Sequence, residues 1–490
     1  MLAKPAKDLE ELRTLLAEVQ ALREDVEKKG AELRAEWGAA EGADSRAVNL
    51  SHYIALRGHD LTELQLRLAA RGLSSLGRSE AKVIETLEAL IVTLRRLTGE
   101  TNVHYPARPL ARAGPSELEA ESERIFGKRP RGAPRARVMA ILPSEAATHP
   151  ELADNLIAAG MDCARINCAH DDVEAWGRMV ANVREAAARL ERPCRILMDI
   201  AGPKCRIQRV KAPPKIRLKR GDRATLVEEV KERTKEPIAF SLNFPELVDQ
   251  LAVGADVFID DGNAAARVVA RNSGRAEIEV YAAREKGVRL KPGKGVNFPT
   301  TGLDLPPLTS KDFRDLDFIA EHADLVGFSF VQRVDDVELL QDHLVARAPK
   351  REPHAIVLKI ETPLAVRNLP RLILQSAAHN PTAVMIARGD LAVELGFARL
   401  TEMQEILWLC EAAHTPVVWA TQVLDNYVSD GMASRAEMTD AATAQGAECV
   451  MLNKGPYLAE GVAFLRDVLS RMDRHFAKKF VRFGSLKAWS

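Results

Sequence analysis

Lys359-Ile360-Glu361 and, about thirty residues later, Arg388-Gly389-Asp390 are the two triplets whose residue types could do chemistry together. Each closes a short apolar run, Ala355 to Ile360 and Ala383 to Ala387, that is rich in β-branched residues, of strand length and without helical period. Side chains alternate faces along a strand, so Lys359 and Glu361, two positions apart, point the same way. A cation and two carboxylates are therefore delivered to one end of a sheet. Two carboxylates with room for water suit a hard divalent ion such as magnesium or manganese, which keeps oxygen ligands and bridges to substrate phosphate. An ammonium beside them would neutralise charge building on a transferring phosphoryl group or an enolate oxygen.

The elements that must position these groups recur from Arg137 onward. Strand-like runs cover Val138 to Leu142, Cys163 to Asn167, Arg195 to Asp199, Leu325 to Phe330, Ala355 to Glu361, Ala383 to Ala387, Pro416 to Thr421 and Cys449 to Asn453. Segments of helical period separate most of them, such as Pro150 to Gly160, Asp172 to Leu190 and Leu400 to Ala413. Eight strands alternating with helices predict an α/β fold, a closed (β/α)8 TIM barrel over 131–206 and 300–480. One gap breaks the spacing, with about 125 residues between the third and fourth strands. The stretch 207–299 has short alternating runs punctuated by Gly221-Asp222, Gly254, Asp261-Gly262 and Ser273-Gly274, and reads as a small all-β domain. Joined to the barrel by two nearby connections, it would hinge over the mouth as a lid.

Residues 1–130 read as a helical domain of three or four helices followed by a linker. Leu9, Leu12, Leu16, Val19, Leu22 and Val26 form one apolar stripe, and further helical patterns cover Val48 to Leu56, Asp60 to Arg71 and Ser79 to Leu97. Asp60 and Ser79 are candidate N-caps, and Gly72 and Gly99 candidate stops. Tyr105 to Pro134, rich in Pro, Gly and Arg, reads as a connector. Its Lys128-Arg129-Pro130-Arg131 run is a solvated linker rather than a nucleic-acid footprint, since the region to Pro134 carries as many acids as bases.

Composition narrows the class further. The chain of 490 residues has 69 Lys plus Arg against 69 Asp plus Glu, which gives no electrostatic signature for nucleic acid. No segment reaches the roughly 18 uninterrupted apolar residues of a membrane span. The first residues form a charged helix rather than a signal peptide, and the six cysteines contain no Cys-x-x-Cys pair. Reduced, buried thiols in a cytoplasmic protein are the expectation. If the barrel forms, chemistry lies where its strands end. Arg165 and Asn167, Asp199, Ser329, Lys359 and Glu361, Asp390, Thr421 and Asn453 are the polar residues at those ends. With Arg165 to grip a phosphate, the site looks built for an anionic phosphorylated substrate.

Ten ordered motifs then give a specific resemblance. Gly160-Met161 with Ala164-Arg165-Ile166-Asn167, Met198-Asp199-Ile200-Ala201-Gly202-Pro203, Asp260-Asp261-Gly262, Lys294-Gly295-Val296-Asn297, Asp304-Leu305-Pro306, Ser329-Phe330-Val331, Lys359-Ile360-Glu361, Ala387-Arg388-Gly389-Asp390-Leu391, Ala420-Thr421-Gln422 and Arg435-Ala436-Glu437 fall in the order found in pyruvate kinases. The stretch from Arg137 to Val462 resembles that family, lid included. The resemblance implies transfer of a phosphoryl group from phosphoenolpyruvate to ADP, giving pyruvate and ATP. Glu361 and Asp390 would hold magnesium, with Lys359 steadying the phosphoryl group and enolate. Thr421 and the amides at Gly389 and Asp390 would hold the substrate carboxylate, with Arg165 and Ser329 completing the substrate set. Asn167, His170, Arg206 and Lys294 would face the nucleotide phosphates, and Asp261 would approach the nucleotide from the lid. A cytoplasmic homo-oligomer, without nucleic-acid or membrane partners, is also implied.

Three departures qualify the resemblance. The family has Asp-Thr-Lys-Gly-Pro-Glu where this chain has Asp199-Ile200-Ala201-Gly202-Pro203-Lys204, and a Ser where Ala169 stands. That Ser helps hold potassium, so the Lys204 ammonium is expected to replace the monovalent ion. Where the family has Leu-Ser-Gly-Glu-Thr this chain has Leu452-Asn453-Lys454-Gly455-Pro456, which removes a hydroxyl of the family's proton-relay region. The sequence ends too soon after the barrel for the family's C-terminal regulatory domain, so sugar-phosphate activation there is not expected. Two other readings stay open at this point. One is a metal-dependent aldolase or lyase working through a pyruvate enolate. The other is a non-catalytic regulatory protein using its helical N-terminal domain.

Overall fold

The computed structural model describes residues 5–39, 44–106, 116–233, 235–396, 398–477 and 480–481. Eight parallel strands close into a barrel in sequence order: β1 (Arg137–Ile141), β2 (Cys163–Asn167), β3 (Arg195–Asp199), β4 (Leu325–Phe328), β5 (Ala355–Ile360), β6 (Thr382–Ala387), β7 (Val417–Ala420) and β8 (Cys449–Leu452), with β8 paired back to β1. The strands are apolar on both faces because one face lines the barrel and the other meets helices. Alternation assigns the faces. Met139, Cys163, Leu197, Leu325, Val357, Met385, Val418 and Met451 pack together inside, while Val138, Ala164, Ile196, Val326, Ile356, Val384, Trp419 and Val450 pack outward with the helices.

That parity decides the site. Continuing the inward set toward the strand ends gives Arg165, Asp199, Gly327, Lys359 and Asn453, so the upper interior layer is polar where the lower one is apolar. The lower end is plugged. A helix, Glu117–Phe126, capped by the Ser116 hydroxyl, inserts Ile125 and Phe126 into the interior cluster. Arg137 donates to the Gly127 carbonyl to fix the helix end. The connector expected from Tyr105 to Pro134 therefore contains a structural plug, and its stretch 107–115 lies outside the described residues.

The N-terminal part holds helices α1 (Pro5–Glu36), α2 (Ser45–Arg57), α3 (Thr62–Ala69) and α4 (Val83–Leu97). Leu15, Val19, Leu22 and Val26 are buried on one face of α1, which packs against α2 and α4. Asp60 accepts the Thr62 amide just before α3, but the helix is entered at Leu61, one residue later than the expected cap. Ser79 does not cap α4: its hydroxyl binds the Leu76 carbonyl and the helix begins four residues later. The group docks on the barrel through Asn49, which donates to Ala412 at 2.8 Å and accepts the Val83 amide at 3.0 Å.

Between β3 and β4 the chain leaves the barrel to form a seven-stranded sheet. Its strands are Ile207–Lys211, Arg223–Val227, Ala239–Leu242, Asp256–Ile259, Ala264–Asn272, Arg275–Ala283 and Val296–Asn297. Ile216 to Leu218, apolar at alternate positions in sequence, contributes just a bridge from Leu218 to Val288. Ile207–Lys211 and Ala239–Leu242 carry no alternation strong enough to flag them, and gain their place by pairing with each other. Among the described residues no helix is long and apolar enough to cross a membrane.

Candidate active site

Asp199, at the end of β3, is the hub of the barrel mouth. Its Oδ2 accepts Arg165 Nε at 2.8 Å and also Arg165 Nη2, and lies 3.3 Å from Lys359 Nζ. Lys359 donates to Ser329 Oγ at 2.6 Å and sits 3.3 Å from Glu361 Oε1. The Ser329 hydroxyl in turn donates a hydrogen bond to the Ile200 carbonyl at 2.7 Å, and the Phe330 amide donates to Glu361 Oε2 at 2.6 Å. Arg165, Ser329, Lys359 and Glu361 are thus brought together, from strands spread over nearly two hundred residues of sequence. All are buried.

Burial alone would push the Asp199 carboxyl up, but Arg165 and Lys359 hold it below the ordinary value. For Lys359 burial works against the charge, and Asp199 with Glu361 outweighs it, leaving the ammonium firmly protonated. Glu361 goes the other way. Burial raises it more than Lys359 lowers it, and the nearby Asp390 charge adds to the rise. Glu361 therefore takes a proton more readily than a free carboxyl, a tendency that a dication at the site would oppose.

Asp390 opens the helix Arg388–Leu395, where its Oδ1 takes Lys204 Nζ at 2.7 Å. The Gly389 amide donates to Thr421 Oγ1 at 2.8 Å. Arg388 does not face substrate space: it binds both Asp440 oxygens at 2.5 and 2.8 Å and stacks over Trp419. Phe330 and Thr421 have φ of 57° and 66°, a left-handed conformation that costs non-glycine residues and is held here by the same hydrogen bonds. The residues expected on the nucleotide side are more scattered. Asn167 Oδ1 accepts the Ala169 amide, ordering its own loop. Arg206 donates to Gly293 and Lys294 pairs with Asp260, both beside Asp261 on the lid. Burial, and then the charges of Lys454 and Arg206, lower the His170 imidazole, which marks a basic neighbourhood. Beside the hinge a cleft of about 570 Å³ is lined by Lys204, Arg206, Lys311 and Phe244.

Sequence reasoning placed Asp199 at the rim without seeing that it pairs with both cations. It missed Lys311, which binds the Cys168 carbonyl at 2.6 Å, and it gave no role to Gly327. Gly327 lies opposite Asp199 in register, and a methyl group there would overlap Asp199 Oδ1. Gly327→Ala should cost about 1–3 kcal/mol by overpacking, read as a lower urea midpoint, with activity falling alongside because Asp199 must move.

Residues 134–462 match the family described as pyruvate kinase, barrel domain. The chain belongs to the pyruvate kinase family. Among curated relatives, the pyruvate kinase of Geobacillus stearothermophilus is 36% identical over 331 residues, covering 65% of this chain and 54% of that protein. The pyruvate kinase of Thermococcus litoralis is 32% identical over 354 residues, 70% of each chain. Pyruvate kinase 2 of Trypanosoma brucei brucei is 32% identical over 326 residues, 64% of this chain and 62% of that one. The chain thus spans between about half and about two thirds of the length of these pyruvate kinases. The helices α1 to α4 lie outside the matched family region.

Among the described residues no three His, Cys, Asp or Glu side chains gather as a metal cage. Glu361 and Asp390 nonetheless fit magnesium, which takes one or two protein carboxylates and completes its shell with water and substrate oxygens. Lys204 is then a competitor for Asp390 as well as a neighbour.

Proposed function

We propose that this member of the pyruvate kinase family transfers a phosphoryl group from phosphoenolpyruvate to ADP, giving pyruvate and ATP. The observation that carries the reading is the Lys359 ammonium, buried and held between Asp199, Glu361 and Ser329. A fixed cation with its hydrogen-bond partners already in place stabilises charge as it develops, without reorganisation at the moment of reaction. Arg165, with Nε and Nη2 on Asp199 and Nη1 on Met451 Sδ at 3.2 Å, would place a fixed positive charge beside the phosphate. The Asp390 amide and the Thr421 hydroxyl, whose oxygen takes the Gly389 amide, would orient the substrate carboxylate at a helix N-terminus. Magnesium or manganese, when bound by Glu361 and Asp390, would supply Lewis-acid polarisation of the phosphoryl oxygens. Asn167, His170, Arg206, Lys294 and Asp261 form the nucleotide side, and the lid, which carries the last two, excludes water from the mouth when closed.

Asn453 stands where the family has the hydroxyl of its proton-relay region, so phosphoryl transfer is proposed without assigning the group that protonates the enolate. Asn453 donates to Asp425 Oδ1 at 2.9 Å, and burial raises the Asp425 carboxyl despite that hydrogen bond. A cytoplasmic homo-oligomer remains part of the proposal. A lactate dehydrogenase-coupled assay with phosphoenolpyruvate, ADP and magnesium tests the reaction. Pyruvate formation that requires all three supports it, and its absence at saturating substrates sinks it.

Lys204 makes the reaction independent of potassium. Its ammonium, 2.7 Å from Asp390, brings to the mouth the single positive charge a monovalent ion would add. Replacing potassium by tetramethylammonium at fixed ionic strength should change kcat by no more than about twofold. Strong activation by potassium would exclude this role for Lys204.

A further inference from the structure

The helix Arg388–Leu395, which carries Asp390 in its first turn, ends against the lid. Asn297, in the short strand Val296–Asn297 paired with Phe258 and Ile259, donates from Nδ2 to Glu394 Oε1 at 2.8 Å. Asn297 is buried, and its Oδ1 receives no hydrogen bond among the described residues. The lid turn at Gly262 comes close to Val393, and Lys204 at the hinge pairs with Asp390. Positions 390, 393 and 394 lie on one helical face, so lid and hinge rest on a single stripe of this helix.

An amide and a carboxylic acid can satisfy each other completely. The acid's carbonyl oxygen takes the amide N–H and its hydroxyl donates to the amide oxygen, whereas a carboxylate has no proton for the second bond. We propose that Glu394 is a positioning residue that latches the lid to the Asp390 helix through a reciprocal pair with Asn297, two hydrogen bonds when its carboxyl holds a proton and one when it does not. The chemistry of the site fits. Burial pushes Glu394 up to about 7, the Asn297 hydrogen bond and Lys204 opposing the shift and Asp390 adding to it. Among the described residues the thiol of Cys205 also interacts with it, and burial pushes that thiol up to about 12, so it stays neutral. The sign follows from a carboxyl that is raised when the lid is closed and ordinary when it is open. Closure is fully supported below the ordinary glutamate value of 4.5 and loses that support as pH rises through about 7.

The latch would hold Asp261 and Lys294 over the metal side, and that consequence rests on the phosphotransfer reading. Lid position can be measured without it. The six native cysteines are buried, so spin labels on Val253→Cys in the lid and Val345→Cys on a barrel helix, 64% and 65% exposed, would attach selectively to the full chain. At about pH 5.5 one short inter-label distance is expected, and the closed-to-open ratio should fall on the order of tenfold by pH 8. Glu394→Ala should be open at both. Glu394→Gln, whose amide N–H replaces the carboxyl proton, should be closed at both and should restore any loss in nucleotide KM seen with alanine. An alanine variant as closed as the native chain, or a glutamine variant as open as the alanine one, would overturn the latch. Intact latch behaviour in a chain that forms no pyruvate would sink the phosphotransfer reading alone.

Discussion

In the proposed phosphotransfer, Lys359→Met will lower kcat for pyruvate formation on the order of a thousandfold, the scale set by removing a preorganised charge from a water-excluded site. The substitution keeps chain length and volume, so the upper barrel layer stays filled. What it removes is the ammonium between Asp199, Glu361 and Ser329. Asp199 keeps Arg165, but Glu361 loses its nearest positive charge and retains the neighbouring Asp390. Breaking a buried ion pair costs about 3–5 kcal/mol when the survivor has no other partner. The Phe330 amide still holds Glu361, so the variant should be destabilised by less than that. Steady-state kinetics together with urea unfolding separate the two effects. A variant that is folded and retains turnover within tenfold of the native chain would remove Lys359 from the mechanism.

Asp199→Asn will cause a larger loss of stability than Lys359→Met, about 3–5 kcal/mol. Asparagine has the same shape, yet the two cations that meet on one carboxylate oxygen would face an amide. Their repulsion in a buried layer is the cause. A pH signature accompanies it. Because Arg165 and Lys359 hold Asp199 below its ordinary 3.8, its contribution is present above that value and disappears as pH falls through the lowered one. Acid unfolding of the native chain should therefore steepen in that range, and the variant's stability should be flatter there. Equal acid limbs in the two proteins would show that Asp199 is not the hub described here.

Much of the barrel was legible because its code is local. Runs such as Ala355 to Ile360 are strand-like whatever surrounds them, and the two-residue period sets Lys359 and Glu361 on one face without reference to any other segment. The lid's place after the third strand followed from one gap in an otherwise regular spacing. Elements without a local code escaped. Glu117–Phe126 is short, amphipathic and embedded among Pro, Gly and Arg, and it is the barrel bottom that makes Ile125 and Phe126 a plug. Ile207–Lys211 and Ala239–Leu242 become strands by pairing with each other across the lid.

By itself the sequence determined that acids and a lysine end neighbouring strands, that an insertion follows β3, and that Lys204 and Asn453 replace the family's usual residues. Tertiary structure alone decided who meets whom. Asp199 joins Arg165 to Lys359, Gly327 makes way for Asp199, Lys204 reaches Asp390 across 186 positions, and Asn297 finds Glu394 across 97. The reason is physical: face and period are fixed by backbone geometry over a few residues, whereas a side chain's partner depends on how a barrel closes and a lid folds back, which no short stretch of sequence encodes.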